Sequence, residues 1–144
     1  MITQRFVHGY LGYLLGQANH AVFKGFEAEV RAAGLSSIEW RVLATLYDSE
    51  PLSVTQLAHE VLAQQPTVTK LVQRMSELGW VRQRACADDQ RRTMIEATAR
   101  GARLVQPLLL RCQEHEVRLL KSLGASEVAA LKKMLAKIAA LDVA

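Results

Sequence analysis

Pro66 is the residue that most constrains how this chain can fold. A proline inside a helix removes a hydrogen bond and clashes with the preceding turn, yet its fixed φ suits the first helical position. Its predecessor, Gln65, is pushed toward an extended conformation. The apolar periodicity on the two sides of Pro66 therefore belongs to two helices. Before it, Ser53 and Gln56 stand at capping-box spacing and open a short helix with Leu57, Ala58 and Val61 on one face. After it, Val68, Leu71, Val72, Met75 and Leu78 make one apolar stripe that Gly79 ends. Two amphipathic helices joined by a tight turn form a helix-turn-helix.

Helical spacing continues over most of the remaining chain. Val7, Leu11, Leu14, Ala18 and Val22 predict a long amphipathic helix over residues 5–33, closed by Gly34. Gly9, Gly12 and Gly16 lie near one another on it, each costing ~1 kcal/mol of helix propensity, which points to a neighbouring helix packed closely there. Ser36 and Glu39 form another capping box, followed by Ile38, Val42, Leu43 and Leu46. Beyond Gly79, residues 81–85 and 93–97 read as the strands of a hairpin with a charged tip from Cys86 to Arg92. Thr98 caps a helix to about Ser122 that Pro107 is expected to kink. Ser126 then caps a last helix bearing Val128, Leu131, Leu135, Ile138 and Leu141. The expected fold is mainly α, in one domain of 144 residues.

Half the residues are hydrophobic and 22% are charged, which excludes a disordered or collagen-like chain. No apolar run approaches the ~18 residues of a membrane span. The N-terminus has no signal-peptide core, and Cys86 and Cys112 cannot build a disulfide framework. A soluble, cytoplasmic protein without membrane contact is expected. The net charge of +4 lies entirely in residues 64–103, where eight bases meet four acids; the rest is neutral. Such localisation is the footprint expected for a polyanion partner, against the plainer reading of a solvated basic face. No phosphate-binding glycine loop, nucleophile elbow or paired metal motif occurs, so no enzyme, cofactor or metal site is expected.

Charge, helix-turn-helix and hairpin converge on residues 53–98. A recognition helix presents polar side chains from its first turns to base edges in the major groove. Here these are Gln64, Gln65, Thr67, Thr69 and Lys70, with Arg74 further along and Ser53 at the start of the preceding helix. Glutamine can bond adenine in bidentate fashion, a threonine methyl can touch a thymine methyl, and Lys70 can reach guanine or phosphate. The hairpin adds Arg84, Asp89, Arg91 and Arg92, and arginines of this kind suit a narrow minor groove.

Residues 35–46 (LSSIEWRVLATL), 52–92 (LSVTQLAHEVLAQQPTVTKLVQRMSELGWVRQRACADDQRR) and 96–104 (EATARGARL) together resemble the MarR family of winged helix-turn-helix regulators. Thr67–Val72 with Arg74-Met75 matches its recognition-helix motif, and Asp89-Gln90-Arg91 its wing signature. The resemblance implies a homodimer made by residues 1–34 and 99–144, around a winged helix-turn-helix of residues 35–98. Helix 66–78 would enter the major groove and wing 82–97 the minor groove of double-stranded DNA at an inverted-repeat operator. It implies a repressor released by a small anionic or phenolic ligand. Pro107 departs from the family pattern. His8, Tyr10, Tyr13, Trp40 and Arg41, expected where the first, second and fifth helices meet, are the candidate effector contacts, because an apolar cleft with few polar groups suits an aromatic acid. A thiol-based redox sensor acting through Cys86 and a DNA-free helical adaptor are the alternatives.

Overall fold

The computed structural model describes residues 5–89 and 91–141. Residues 1–4 and 142–144, the outer ends of the two expected dimerisation segments, and Gln90 of the wing signature lie outside the described residues. The elements run α1 (Phe6–Gly9), α2 (Leu11–Lys24), α3 (Glu27–Ala32), α4 (Ser37–Tyr47), β1 (Leu52–Ser53), α5 (Val54–Val61), α6 (Gln65–Glu77), β2 (Val81–Ala85), β3 (Thr93–Ala97), α7 (Ala99–Leu119) and α8 (Ala125–Ala139). The three strands form an antiparallel sheet in the order β1-β3-β2, with Leu52 opposite Ile95 and Val81 opposite Ala97. The fold is a mainly helical winged helix-turn-helix, and β1 is a strand the sequence reading did not contain.

The core lies where the apolar stripes of α4 to α7 meet the sheet. Val42, Leu43, Leu57, Val61, Val68, Val72, Met75, Ile95, Val105 and Leu108 are all buried there. Both capping boxes form. The Ser36 hydroxyl accepts from the Glu39 N–H at 3.2 Å, and the Ser53 hydroxyl from the Gln56 N–H at 3.2 Å. Each satisfies a backbone donor that has no partner within its helix.

Three helices end in the same way, with the residue after the last turn in the left-handed region and the next N–H bonding five residues back. Leu35 N–H reaches the Val30 carbonyl at 3.2 Å, Ala63 N–H the Ala58 carbonyl at 3.0 Å and Trp80 N–H the Met75 carbonyl at 2.9 Å. Glycine occupies the left-handed position twice, at Gly34 and Gly79, but Leu62 occupies it at φ 57° in the turn between α5 and α6. That side chain is 84% exposed, so little packing offsets the steric cost of its backbone.

Several sequence expectations need correction. The long helix expected over residues 5–33 is three helices. At the second break the Phe26 N–H bonds the Phe23 carbonyl at 2.9 Å, and the Val22 carbonyl accepts instead from His115 Nε2 on α7 at 3.0 Å. The chain turns there and sends Phe26 into the core. At the first break Tyr10 is extended, and its ring lies over Gly12 and stacks on Phe6 at 5.7 Å. Among the described residues nothing stands within 4 Å of a Cβ built on Gly9 or Gly16, so no neighbouring helix packs there.

The recognition helix begins one residue early, with Gln64 as the extended cap and Gln65 helical, and Leu78 is exposed. Helix α7 is continuous through the exposed Pro107, and it ends at Leu119, before Ser122. Gly124, not Ser126, caps α8, with the Glu127 carboxylate accepting its N–H at 3.1 Å.

Candidate nucleic-acid interface

Helices α5 and α6 bury Leu57, Ala58 and Val61 against Val68, Val72 and Met75, which turns the opposite face of α6 outward. Gln64, Gln65, Thr67, Thr69 and Lys70 are all exposed along its first turns. Two local bonds order this surface. The Thr69 hydroxyl donates to the Gln65 carbonyl at 3.0 Å, and the Thr55 hydroxyl donates to the Gln65 side-chain oxygen at 3.3 Å. Among the described residues Lys70 pairs with no carboxylate, so its charge is open to a partner. Ser53 is buried, and its hydroxyl is committed to the cap of α5, so it orders the helix and is not presented at the surface.

The hairpin places its arginines in two groups. At its root, Arg82 reaches Glu96 Oε1 with Nε at 3.0 Å and Nη2 at 2.6 Å, while Arg84 lies 3.2 Å from Oε2. One carboxylate thus gathers two guanidiniums. At the tip, Asp89 Oδ1 accepts from the Arg91 N–H at 3.0 Å and from its Nε at 3.4 Å, and the Asp89 carbonyl accepts from the Arg92 N–H at 3.0 Å. Asp89 therefore shapes the turn and directs Arg91, whose side chain is 94% exposed. Pairs this open to water contribute only ~0–1 kcal/mol to stability, which leaves both tip arginines available to a polyanion.

Arg74 does not follow the others. From the third turn of α6 its guanidinium sits 2.5 Å from Glu39 Oε2, a carboxylate that is almost wholly buried. Burial alone would raise that carboxyl, but the Ser36 N–H and the Arg74 guanidinium outweigh it and hold Glu39 below its ordinary value. The sequence showed Glu39 as a capping residue; its second partner, 35 positions away, had no local signal. Thr98 was read as a cap and proves also to be a joint: its hydroxyl meets the Gly79 carbonyl at 2.6 Å and the Trp80 carbonyl at 3.2 Å, tying the end of α6 to the start of α7.

The five candidate effector contacts do not converge within the protomer. A cavity of about 370 Å³ between α4 and α7 is bordered by Trp40, Tyr47, Asp48, Leu109, Cys112, Gln113 and Glu116. Of the five, Trp40 alone borders it. His8 packs on Tyr13 at 5.9 Å, Tyr10 on Phe6, and Arg41 is exposed without bordering the cavity. Trp40 also packs on Phe26 with ring centroids 5.3 Å apart. Burial, with Glu116 nearby, pushes the Cys112 thiol up, the opposite of what a reactive thiolate needs. Among the described residues no helix is long and apolar enough to cross a membrane, and no cluster of potential ligands could hold a metal ion.

Residues 33–92 match the model of the MarR family. The chain is 25% identical over 135 residues to the HTH-type transcriptional regulator FarR of Neisseria gonorrhoeae, covering 94% of this chain and 92% of that protein. It superposes on a MarR family transcriptional regulator from Silicibacter pomeroyi DSS-3 with a TM-score of 0.82 and 33% identity, over 94% of this chain and 98% of the other. The structure of NadR in complex with 4-hydroxyphenylacetate is similar with a TM-score of 0.87 and 26% identity, over 99% of this chain and 100% of that one. An exposed recognition helix beside an arginine-tipped wing, the family match and a full-length relative above 30% identity agree: the chain belongs to the MarR family of transcriptional regulators, not to a family of enzymes.

Proposed function

We propose that the protein acts as a homodimeric repressor that reads an inverted-repeat operator in double-stranded DNA. The observation that carries this reading is the exposed strip of Gln64, Gln65, Thr67, Thr69 and Lys70 on α6, flanked by the exposed arginines of the wing tip. Helix α6 enters a major groove, where the glutamines, threonines and Lys70 meet base edges and phosphates. Arg91 and Arg92 enter the adjacent minor groove, Asp89 orients Arg91, and Arg84 stands over phosphate at the root of the wing. Residues 35–98 form the reading part; residues 1–34 and 99–144 form the dimer.

Exposed apolar side chains support the dimer. Phe6, Leu11, Leu14 and Val22 at one end of the chain and Met134, Leu135, Ile138 and Leu141 at the other are large apolar side chains left in water, which a second copy of the chain would cover. A two-fold dimer sets the recognition helices about 34 Å apart, one turn of DNA. The cavity beside Trp40 is the place for a small aromatic acid, a class to which the 4-hydroxyphenylacetate bound by NadR belongs. His8, Tyr10, Tyr13 and Arg41 contribute to it only if the partner protomer brings them there. Action on chromosomal DNA places the protein in the cytoplasm.

Selection of sites from random duplex DNA at about 150 mM salt tests the reading. Enrichment of an inverted repeat with half-sites one turn apart is expected, and Lys70→Ala or Arg91→Ala weakens its binding. Weak, salt-sensitive binding with no enriched sequence leaves α6 and the wing as a generic basic surface and favours the adaptor. A 16.0 kDa monomer by sedimentation at micromolar concentration refutes the dimer.

A further inference from the structure

Glu39 is the one charged side chain among the described residues that is buried, and its two oxygens have different partners. Oε1 accepts the Ser36 N–H at 2.8 Å and completes the capping box; Oε2 holds Arg74. The chain contains its own control for what capping requires. In the other box the neutral Gln56 does the same work, accepting the Ser53 N–H at 2.9 Å. A charge at position 39 is therefore unnecessary for the cap, and burying one is costly unless it is paired. What the carboxylate adds is its hold on Arg74.

Arg74 lies on the same strip of α6 as Thr67 and Lys70, at helical spacings of three and four residues. An arginine there would extend the row of groups offered to DNA. Its guanidinium is instead drawn back across the helix to the N-terminus of α4. That helix carries Trp40, the next residue after Glu39, on the wall of the cavity.

We propose that Glu39 is a positioning residue for DNA reading: through Arg74 it fixes the recognition helix against α4, and Arg74 is a strut and not a phosphate contact. The inference rests on the DNA-reading function proposed above. The Glu39 carboxylate is buried while the Arg74 side chain stays 60% exposed, and the buried charge needs its partner, so what the pair supplies is one defined arrangement of α6 on α4. Held by a rigid neighbour, α6 presents Gln64 to Lys70 in a single orientation, and less ordering remains to be done on binding.

The test uses the full chain and the duplex enriched by site selection. Affinity is measured across a salt series, and urea unfolding is followed, for the wild type, Glu39→Gln, Arg74→Gln and the double variant. Glu39→Gln keeps an oxygen for the Ser36 N–H and removes only the charge. Each single variant is expected to bind roughly tenfold more weakly, and the double variant no more weakly than Arg74→Gln, because both remove one interaction. The salt slope of Arg74→Gln should equal that of the wild type. A slope shallower by about one unit makes Arg74 a phosphate contact and overturns the proposal. Additive effects of the two substitutions, in binding and in unfolding, overturn it as well. A wild type that enriches no sequence removes the DNA-reading function itself, and the positioning role falls with it.

Discussion

Replacing Gly101 by alanine puts a methyl group at the joint between the reading part and α7. In a helix this exchange ordinarily stabilises by ~1 kcal/mol, through propensity alone. Here a Cβ would run into the Trp80 carbonyl oxygen, with the carbonyl carbon at 3.0 Å and Leu43 Cδ2 at 3.3 Å. The leucine methyl can give by a few tenths of an ångström. The carbonyl cannot, because it accepts from the Thr98 N–H at 3.1 Å and the Thr98 hydroxyl at 3.2 Å, and any retreat strains both bonds. Overpacking a filled site costs ~1–3 kcal/mol, and a backbone obstacle belongs at the upper end. After the propensity gain, the expected net loss is about 1–2 kcal/mol. For a domain of this size that lowers Tm by roughly 2–4 °C for each kcal/mol. Urea unfolding at fixed protein concentration measures it, with a lower midpoint and an unchanged m-value as the expected outcome. A Gly101→Ala variant as stable as the wild type, or more so, refutes the close packing of α7 on the Trp80 carbonyl.

Three further outcomes follow from particular contacts. Leu62→Gly should raise stability by roughly 0.5–1 kcal/mol in thermal unfolding, since it relieves a left-handed backbone whose side chain is mostly in water; a loss of stability would show that Leu62 packs on something. The Glu39–Arg74 pair should be pH-dependent in one direction: with the folded carboxyl held below its ordinary value, the stability it contributes is fully present above the usual carboxylate range and is lost as pH falls through the lowered value. The stability difference between wild type and Glu39→Gln should therefore shrink as pH falls through and below the usual carboxylate range, and a constant difference would refute the pairing. Glu96→Gln should release Arg82 toward phosphate and steepen the salt dependence of duplex binding by up to about one unit per added contact, read by fluorescence anisotropy; an unchanged slope would mean that Glu96 withholds no arginine from DNA.

Much of the winged helix-turn-helix was legible from residues close in sequence. Ser36 with Glu39 and Ser53 with Gln56 encode two helix starts over three positions, and Gly34 and Gly79 encode two stops. Pro66 separates α5 from α6, and the strands read at 81–85 and 93–97 pair as a hairpin, Val81 opposite Ala97 and Ala85 opposite Thr93. The candidate DNA contacts from Gln64 to Lys70 were legible for the same reason, since a helix start and an apolar stripe together dictate which side chains face water. Leu62 was missed because its left-handed turn carries no glycine to announce it.

The remainder depended on partners far along the chain. Residues 5–33 have an unbroken helical pattern, yet His115 takes the Val22 carbonyl from 93 positions away and the helix ends there. The charge of Arg74 reads as one more DNA contact until Glu39 is found beneath it. Of the effector candidates only Trp40 lies on the cavity, while His8, Tyr10 and Tyr13 sit on the N-terminal segment that is broken into separate helices. Capping, turns and amphipathic faces arise from hydrogen bonds and burial within a few residues, so the sequence by itself determined helices α4 to α6, the hairpin of β2 and β3, and which side chains of α6 face water. Where a helix bends, which arginine is held and which side chains share a cavity are set by steric fit and ion pairing between distant segments, and only the tertiary structure decided them.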